Sequence, residues 1–309
     1  MGAKTHVWIP PDTDAAHRAL LPSGIELHDL PPAGEPARHL GPGQFVVVDF
    51  YRRDILDVIE RLEGVRVVQT MSAGVERLVG RIPDGAVLCN ASGVHDIAVA
   101  EWTVMAILAM RRGLPDHVLH QHEARWVRPG EQGMRDLDGS RVLIVGYGSI
   151  GTAVEARLLP FGATVDRVAR RARDGVSGVD RLPDLLAQAD VVVILMPLTP
   201  QTEHFVNAVF LAHMRPGALL VNAARGKIVD TEALIDAIRE RGLRVALDVT
   251  DPEPLPDGHP LWTMDGVLIT PHIGGSVERG YDRAWKFVVE QLGRYLASEP
   301  LANVVRDGY

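Results

Sequence analysis

The sequence predicts an α/β protein built on doubly wound parallel sheets, and three observations predict it. Short apolar runs alternate with helical patterns along the 309 residues, as expected for strands buried on both faces and joined by crossover helices. A glycine fingerprint, Gly146-Tyr147-Gly148-Ser149-Ile150-Gly151, links the apolar run Arg141–Val145 to a helical pattern over Ile150–Leu159, which Pro160 and Gly162 end. Arg225, Glu253 and His272 each stand just after a run that reads as a strand. Open α/β sheets bind ligands in the crevice at the carboxyl ends of their strands. Three polar groups at three such ends mark a candidate active site in a protein of two Rossmann-like domains.

The first part of the chain reads as a small α/β unit with strands at His6–Ile9, Phe45–Asp49, Val65–Thr70 and Ala86–Asn90. Helices fall between them, clearest at Arg53–Leu62, and Pro31–Gly43 is a Pro/Gly-rich loop. A long helical pattern from Asp96 to Arg112 reads as the crossing into a second domain. That domain has strand candidates at 141–145, 163–169, 191–196, 217–224, 244–249 and 266–271. They suit the strand order 3-2-1-4-5-6, in which the last three adjoin and bring Arg225, Glu253 and His272 together. A final helix is expected over Glu278–Ala297. The expected domains are 1–95 plus 279–309, for substrate, and 96–278, for the dinucleotide, with the active site in the cleft between them.

The fingerprint glycines allow a tight turn and let the backbone approach a pyrophosphate on the helix N-terminus. The strand Ala163–Ala169 then says which dinucleotide. An NAD site wants a carboxylate about 20 residues on, for the ribose 2′-hydroxyl. None is there: Asp166 comes too early, and Arg170 and Arg171 follow the strand with Arg173 close by. A guanidinium fork matches a 2′-phosphate. NADP(H) is therefore expected, with NAD(H) as the alternative.

In this frame the chain resembles the D-isomer-specific 2-hydroxyacid dehydrogenase family. The matching segments are SAGVE at 72–76, VAEWT at 99–103, GYGSIG at 146–151, MPLTPQT at 196–202, NAARGKIVD at 222–230, ALDVTDPEP at 246–254 and TPHIGGS at 270–276. The resemblance implies that Arg225, Glu253 and His272 are the catalytic residues. It implies that the backbone of Ser72, Ala73 and Gly74 holds the substrate carboxylate, alongside Arg225 and His272. It places Pro197, Thr202, Ala223, Asp248 and Gly274 against the cofactor, with Asp248 by the nicotinamide amide. A homodimer through the cofactor domains is also implied, with His117–Arg135 as a contact arm. Two residues depart from the pattern: the acidic cofactor residue is missing, and Glu76 stands where the family usually has Asp or Asn.

The residue types suit reduction of a 2-keto acid. An imidazole titrates near neutrality, so His272 is the natural acid. Glu253 would orient its ring, and Arg225 would pair with the substrate carboxylate and polarise the carbonyl. The expected function is a reductase of the glyoxylate or hydroxypyruvate kind, transferring hydride between NADP(H) and a small 2-keto or 2-hydroxy acid. The alternatives are a dinucleotide-sensing corepressor-like binding protein and a phosphite-type dehydrogenase on the same scaffold. A formate dehydrogenase is disfavoured, because that branch carries Gln where Glu253 stands. A long-type phosphoglycerate dehydrogenase is disfavoured, because no regulatory domain follows Tyr309.

Composition narrows the partners. A net charge of −8 argues against nucleic acid. No apolar run reaches membrane length, and no signal-peptide core opens the chain. Cys89 is the single cysteine and forms no internal disulfide, so a cytoplasmic location is expected and the Asn90-Ala91-Ser92 sequon carries no meaning. His117, His120, His122 and Glu123 have a spacing that suits a metal, but a solvated or interface face is the expected reading, and no metal site is assigned. His95 is a candidate contact to substrate or cofactor. Phe50 and Tyr51 either face substrate or simply pack, and the sequence favours neither.

Overall fold

The computed structural model describes residues 4–35, 39–49, 52–128 and 134–306. Phe50, Tyr51 and residues 129–133 of the expected contact arm lie outside the described residues. The chain divides into two compact units, Met1–His95 with Val277–Tyr309, and Asp96–Ser276.

Unit one contains β1 (Thr5–Ile9), α1 (Ala15–Ala19), β2 (Ile25–Asp29), β3 (Gly41–Pro42), β4 (Phe45–Val48), α2 (Ile55–Ile59), β5 (Leu62–Glu63), β6 (Val67–Thr70) and β7 (Val87–Cys89). Five of these strands form a parallel sheet in the order β2-β1-β4-β6-β7, and β3 pairs with β5 alone. Side chains alternate across a strand, and the two faces show it. Trp8, Val46, Val48 and Val68 pack on Ile55, Val58 and Ile59 of α2. Val7, Ile9, Phe45, Val47 and Val67 face the other way. The sequence did not signal β2, because Ile-Glu-Leu-His-Asp is a half-polar edge strand with no apolar run.

Unit two opens with α3 (Asp96–Arg111) and α4 (Leu114–His122). It continues through β8 (Arg141–Val145), α5 (Ser149–Leu158), β9 (Thr164–Val168), α6 (Leu182–Leu186), β10 (Val191–Ile194) and α7 (Ala208–His213). It closes with β11 (Leu219–Asn222), α8 (Thr231–Arg241), β12 (Arg244–Leu247) and β13 (Val267–Ile269). Helix α9 (Gly280–Leu296) follows and belongs to unit one, where Trp285, Val288 and Leu292 pack on the sheet face of Val7 and Phe45. Asp230 caps α8 by accepting from the Ala233 N–H at 3.1 Å, and Gly242 ends the helix with φ 62°. The sheet is buried on both sides. Val142, Ile144, Val191 and Val193 pack toward α3 and α5, while Leu143, Val145, Val192 and Ile194 pack toward α6, α7 and α8. Among the described residues no helix is long and apolar enough to cross a membrane.

The strand order corrects one expectation. The sheet runs β9-β8-β10-β11-β12-β13, which is 2-1-3-4-5-6 in chain order, and not 3-2-1-4-5-6. The reason lies just after β9. Ser177 donates to the Arg167 carbonyl at 2.9 Å and accepts from the Ala169 N–H at 3.0 Å, a single parallel bridge beside Val168. The third strand of the expected order is reduced to that bridge, because Arg170–Gly178 has no apolar run to bury. The strands that precede Arg225, Glu253 and His272 still adjoin, β11 on β12 and β12 on β13.

Candidate active site

The chain reverses direction across the sheet between β8 and β10, and the crevice of a doubly wound sheet opens at such a switch point. The fingerprint turn sits there. Gly146 has φ 101°, and a Cβ on it would fall 2.3 Å from the Met196 nitrogen, so only glycine fits. A Cβ on Gly151 would meet the Tyr147 ring at 3.1 Å and Ile144 at 3.4 Å, which sets the close packing of α5 on β8. A Cβ on Gly148 would meet nothing within 4 Å. That open face leads to the first turn of α5, whose leading N–H groups have no intrahelical acceptor. The geometry fits a pyrophosphate at this turn. The loop after β10 closes the other side. There the Thr202 hydroxyl donates to the Pro197 carbonyl at 2.7 Å, and Ala223 at the end of β11 donates its N–H to Ile194 at 3.4 Å.

Two guanidiniums flank the Tyr147 ring. Arg167 lies 5.7 Å and Arg173 5.8 Å from its centroid, within cation–π range. Arg173 also donates to the Tyr147 carbonyl at 2.6 Å, which ties it to the fingerprint. Arg167 and the Tyr147 hydroxyl both engage Glu155, with Arg167 Nε at 2.8 Å. The Arg167 guanidinium holds the Glu155 carboxyl below the usual carboxylate range; burial opposes this and the Tyr147 bond adds to it. Arg170 and Arg171 are exposed and have no bonded partner among the described residues. Asp166 pairs with Arg141 instead of facing a ligand.

At the far strands, His272 Nδ1 lies 2.7 Å from Glu253 Oε1, with the two side chains 45 % and 42 % exposed. The pair is therefore open to solvent. His272 has φ 56°, a left-handed conformation that is uncommon for a residue with a Cβ. Its N–H donates to the carbonyls of Asp248 at 2.7 Å and Thr270 at 3.0 Å, which hold the strained turn. Arg225 follows β11; its carbonyl accepts from Asn222 at 3.0 Å and its Nη1 donates to the Ala224 carbonyl at 2.7 Å. A Cβ on the next residue, Gly226, would overlap the Thr250 carbonyl oxygen, so the Arg225 turn packs tightly on the loop that leads to Glu253.

Comparisons with known proteins identify the family. The sequence model described as "D-isomer specific 2-hydroxyacid dehydrogenase, NAD binding domain" matches residues 104–274. The human glyoxylate reductase/hydroxypyruvate reductase is 32 % identical over 78 % of this chain and 77 % of its own length. The chain belongs to the D-isomer-specific 2-hydroxyacid dehydrogenase family. A D-3-phosphoglycerate dehydrogenase from Methanocaldococcus jannaschii is 34 % identical over 81 % of this chain, which spans 49 % of that relative's length. The crystal structure of a D-isomer specific 2-hydroxyacid dehydrogenase from Xanthobacter autotrophicus Py2, in complex with NADPH and MES, is 31 % identical, covers all of both chains and has a TM-score of 0.84.

Within this member of the family, Asp248 has a role that sequence reasoning missed. It is buried, and its carboxylate accepts from Thr270 Oγ1 at 2.6 Å, Ile273 N–H at 2.9 Å and Gly274 N–H at 2.7 Å. Trp102 in turn donates to Thr270 Oγ1 at 3.0 Å. Asp248 thus shapes the whole turn that carries His272. No local signal marks this, since each partner lies more than 20 residues away in sequence.

Residues elsewhere have plainer surroundings. In the Ser72–Gly74 loop the carbonyls are tied down: Ser72 accepts from Ala91 N–H at 2.9 Å and Thr70 Oγ1 at 2.7 Å, and Ala73 accepts from Asn90 at 3.1 Å. His95 Nε2 lies 3.2 Å from the Met71 carbonyl oxygen, a contact within unit one. Helix α4 buries none of its residues, and its histidines do not gather three metal-ligating atoms among the described residues. Cys89 is fully buried, and burial pushes its thiol up to about 11.

Proposed function

We propose that the protein is an NADP(H)-preferring reductase of small 2-keto acids of the glyoxylate or hydroxypyruvate kind. The observation that carries this reading is the His272–Glu253 pair, closed at 2.7 Å and open to solvent beyond the carboxyl ends of adjoining strands. His272 gives its proton to the carbonyl oxygen in reduction and takes it back in the reverse direction. Glu253 holds Nδ1, so that Nε2 faces the substrate. Arg225 pairs with the substrate carboxylate and stabilises charge as it develops on the oxygen. NADP(H), when bound, supplies or accepts the hydride. Gly146–Gly151 with Pro197, Thr202, Ala223 and Gly274 would hold it.

The preference for NADP(H) is supported by three guanidiniums after β9, where an NAD site would carry a carboxylate. The decisive assay follows oxidation of NADPH and NADH by absorbance against glyoxylate, hydroxypyruvate, pyruvate and phosphohydroxypyruvate. Turnover of the two small acids with NADPH is expected to lead. A lead for phosphohydroxypyruvate with NADH would move the reading to the phosphoglycerate branch, and tight dinucleotide binding without turnover would move it to a binding protein. We further propose a homodimer formed through α4 and the segment after it, where Val118, Leu119 and the 90 %-exposed Trp126 present apolar surface. Light scattering should show the dimer, and Leu119→Ser with Trp126→Ser should weaken it.

A further inference from the structure

Unit one gathers three metal-ligating side chains that the chemistry above does not use. β1 and β2 pair in register with His6 opposite Glu26 and Trp8 opposite His28. Residues two apart in a strand share a face, and opposed Cβ atoms lie about 4.5–5.5 Å apart. His6, Glu26 and His28 therefore project together at the β2 edge of the sheet. His6 Nδ1 lies 2.9 Å from His28 Nε2, and Glu26 Oε1 lies 3.9 Å and 3.8 Å from those two nitrogens. Among the described residues this is the one triplet whose ligand atoms all fall within 4.8 Å of one another.

The surroundings hold the cluster and leave it open. Trp8 is buried, stacks on the His28 ring at 4.8 Å and donates its indole N–H to the Pro42 carbonyl at 2.9 Å. That fixes one imidazole from behind. The His6, Glu26 and His28 side chains are 22 %, 52 % and 28 % exposed, so water reaches the front.

We propose that His6, Glu26 and His28 form a binding site for a divalent transition-metal ion such as Zn(II), with water in the remaining position. Two imidazoles and a carboxylate are a donor set that zinc takes, and its bonds of about 2.0–2.2 Å set tetrahedral donors about 3.3 Å apart. The imidazoles need to part by a few tenths of an ångström and Glu26 to close by about half an ångström, movements available to the exposed Glu26 and the half-buried His6. Without the ion, one imidazole donates its N–H to the other; the ion takes the place of that proton. Because β2 is an edge strand, a bound ion would clip it to β1. Glu26 and His28 lie 20 or more residues from His6 in sequence, so no spacing pattern announces the site.

Equilibrium dialysis of the full chain against Zn(II), with Co(II) absorption in the visible as a coordination readout, tests the proposal. One equivalent is expected to bind. His6→Ala, His28→Ala and Glu26→Gln should each weaken binding tenfold or more and bleach the Co(II) bands. His117→Ala with His120→Ala should leave both unchanged. Co(II) should also quench Trp8, and the quenched fraction should disappear in Trp8→Phe. The exposed Glu26→Gln keeps the test open should a histidine variant misfold. Absence of binding by the wild type, or wild-type affinity in His6→Ala and His28→Ala, overturns the site.

Discussion

Gly274 and Asp248 are packed so closely that a Cβ on Gly274 would fall 2.8 Å from Asp248 Oδ2, the oxygen that accepts the Gly274 N–H at 2.7 Å. The same aspartate takes the His272 N–H on its carbonyl. One buried residue therefore couples Gly274 to the histidine turn.

Disturbing either member should misplace His272. Gly274→Ala forces the carboxylate aside, and Asp248→Asn turns one acceptor into a donor facing an N–H. Each is expected to lower kcat/KM about tenfold or more, and Asp248→Asn to cost about 1–3 kcal/mol of stability for the orphaned donor. Steady-state kinetics and urea unfolding measure the two effects. Wild-type kinetics in both variants would remove Asp248 from the positioning role.

His272→Ala should reduce kcat/KM by about 10²–10⁴-fold, the range for a positioned acid–base group. Glu253→Gln keeps the size but loses the charged acceptor at Nδ1, so a smaller loss in kcat is expected with little change in KM. The double variant should be no worse than His272→Ala alone, because the two act as one unit. Additive losses would mean that Glu253 works independently of the histidine.

The guanidiniums after β9 divide into a tethered one, Arg173 on Tyr147, and two, Arg170 and Arg171, that have no bonded partner among the described residues. Each charge-assisted contact to a phosphate is worth about 1.5–3 kcal/mol. Arg170→Ala with Arg171→Ala should therefore raise KM for NADPH about tenfold more than KM for NADH. Arg173→Ala should add to that ratio and also loosen both cofactors, since it frees the Tyr147 carbonyl. Parallel KM changes for the two cofactors would count against a 2′-phosphate site.

The Glu155 carboxyl lies below the usual range in the folded protein, first because Arg167 bonds it. Its stabilisation is therefore complete above the unfolded value, about 4.3, and is lost as pH falls through the folded value. Urea unfolding of wild type and Glu155→Gln should differ at pH 6 and converge toward pH 3. A gap that stays constant over that interval would show that the carboxylate's charge is not what stabilises.

Much of this site was legible because its signals are local. The apolar runs at 141–145, 191–194 and 244–247 are strands, since a strand buried on both faces has no room for polar residues. The long helix from Asp96 and the helix after the fingerprint appear within a residue of their expected bounds. β2 was not legible, because an edge strand tolerates Glu26, His28 and Asp29. The rudimentary third strand at Ser177 was not legible either, and missing it misnumbered the sheet.

The parallel α/β architecture, the glycine turn and the family could be read from the residues alone, because each is carried by residue types within short, local segments. The assembled fold was needed to show that Asp248 holds the His272 turn, that Arg173 is fastened to Tyr147, and that His6 meets Glu26 and His28. These contacts depend on register and on which loops lie side by side. A one-residue slip in a strand turns every side chain to the other face, so they become definite only when the sheets are assembled.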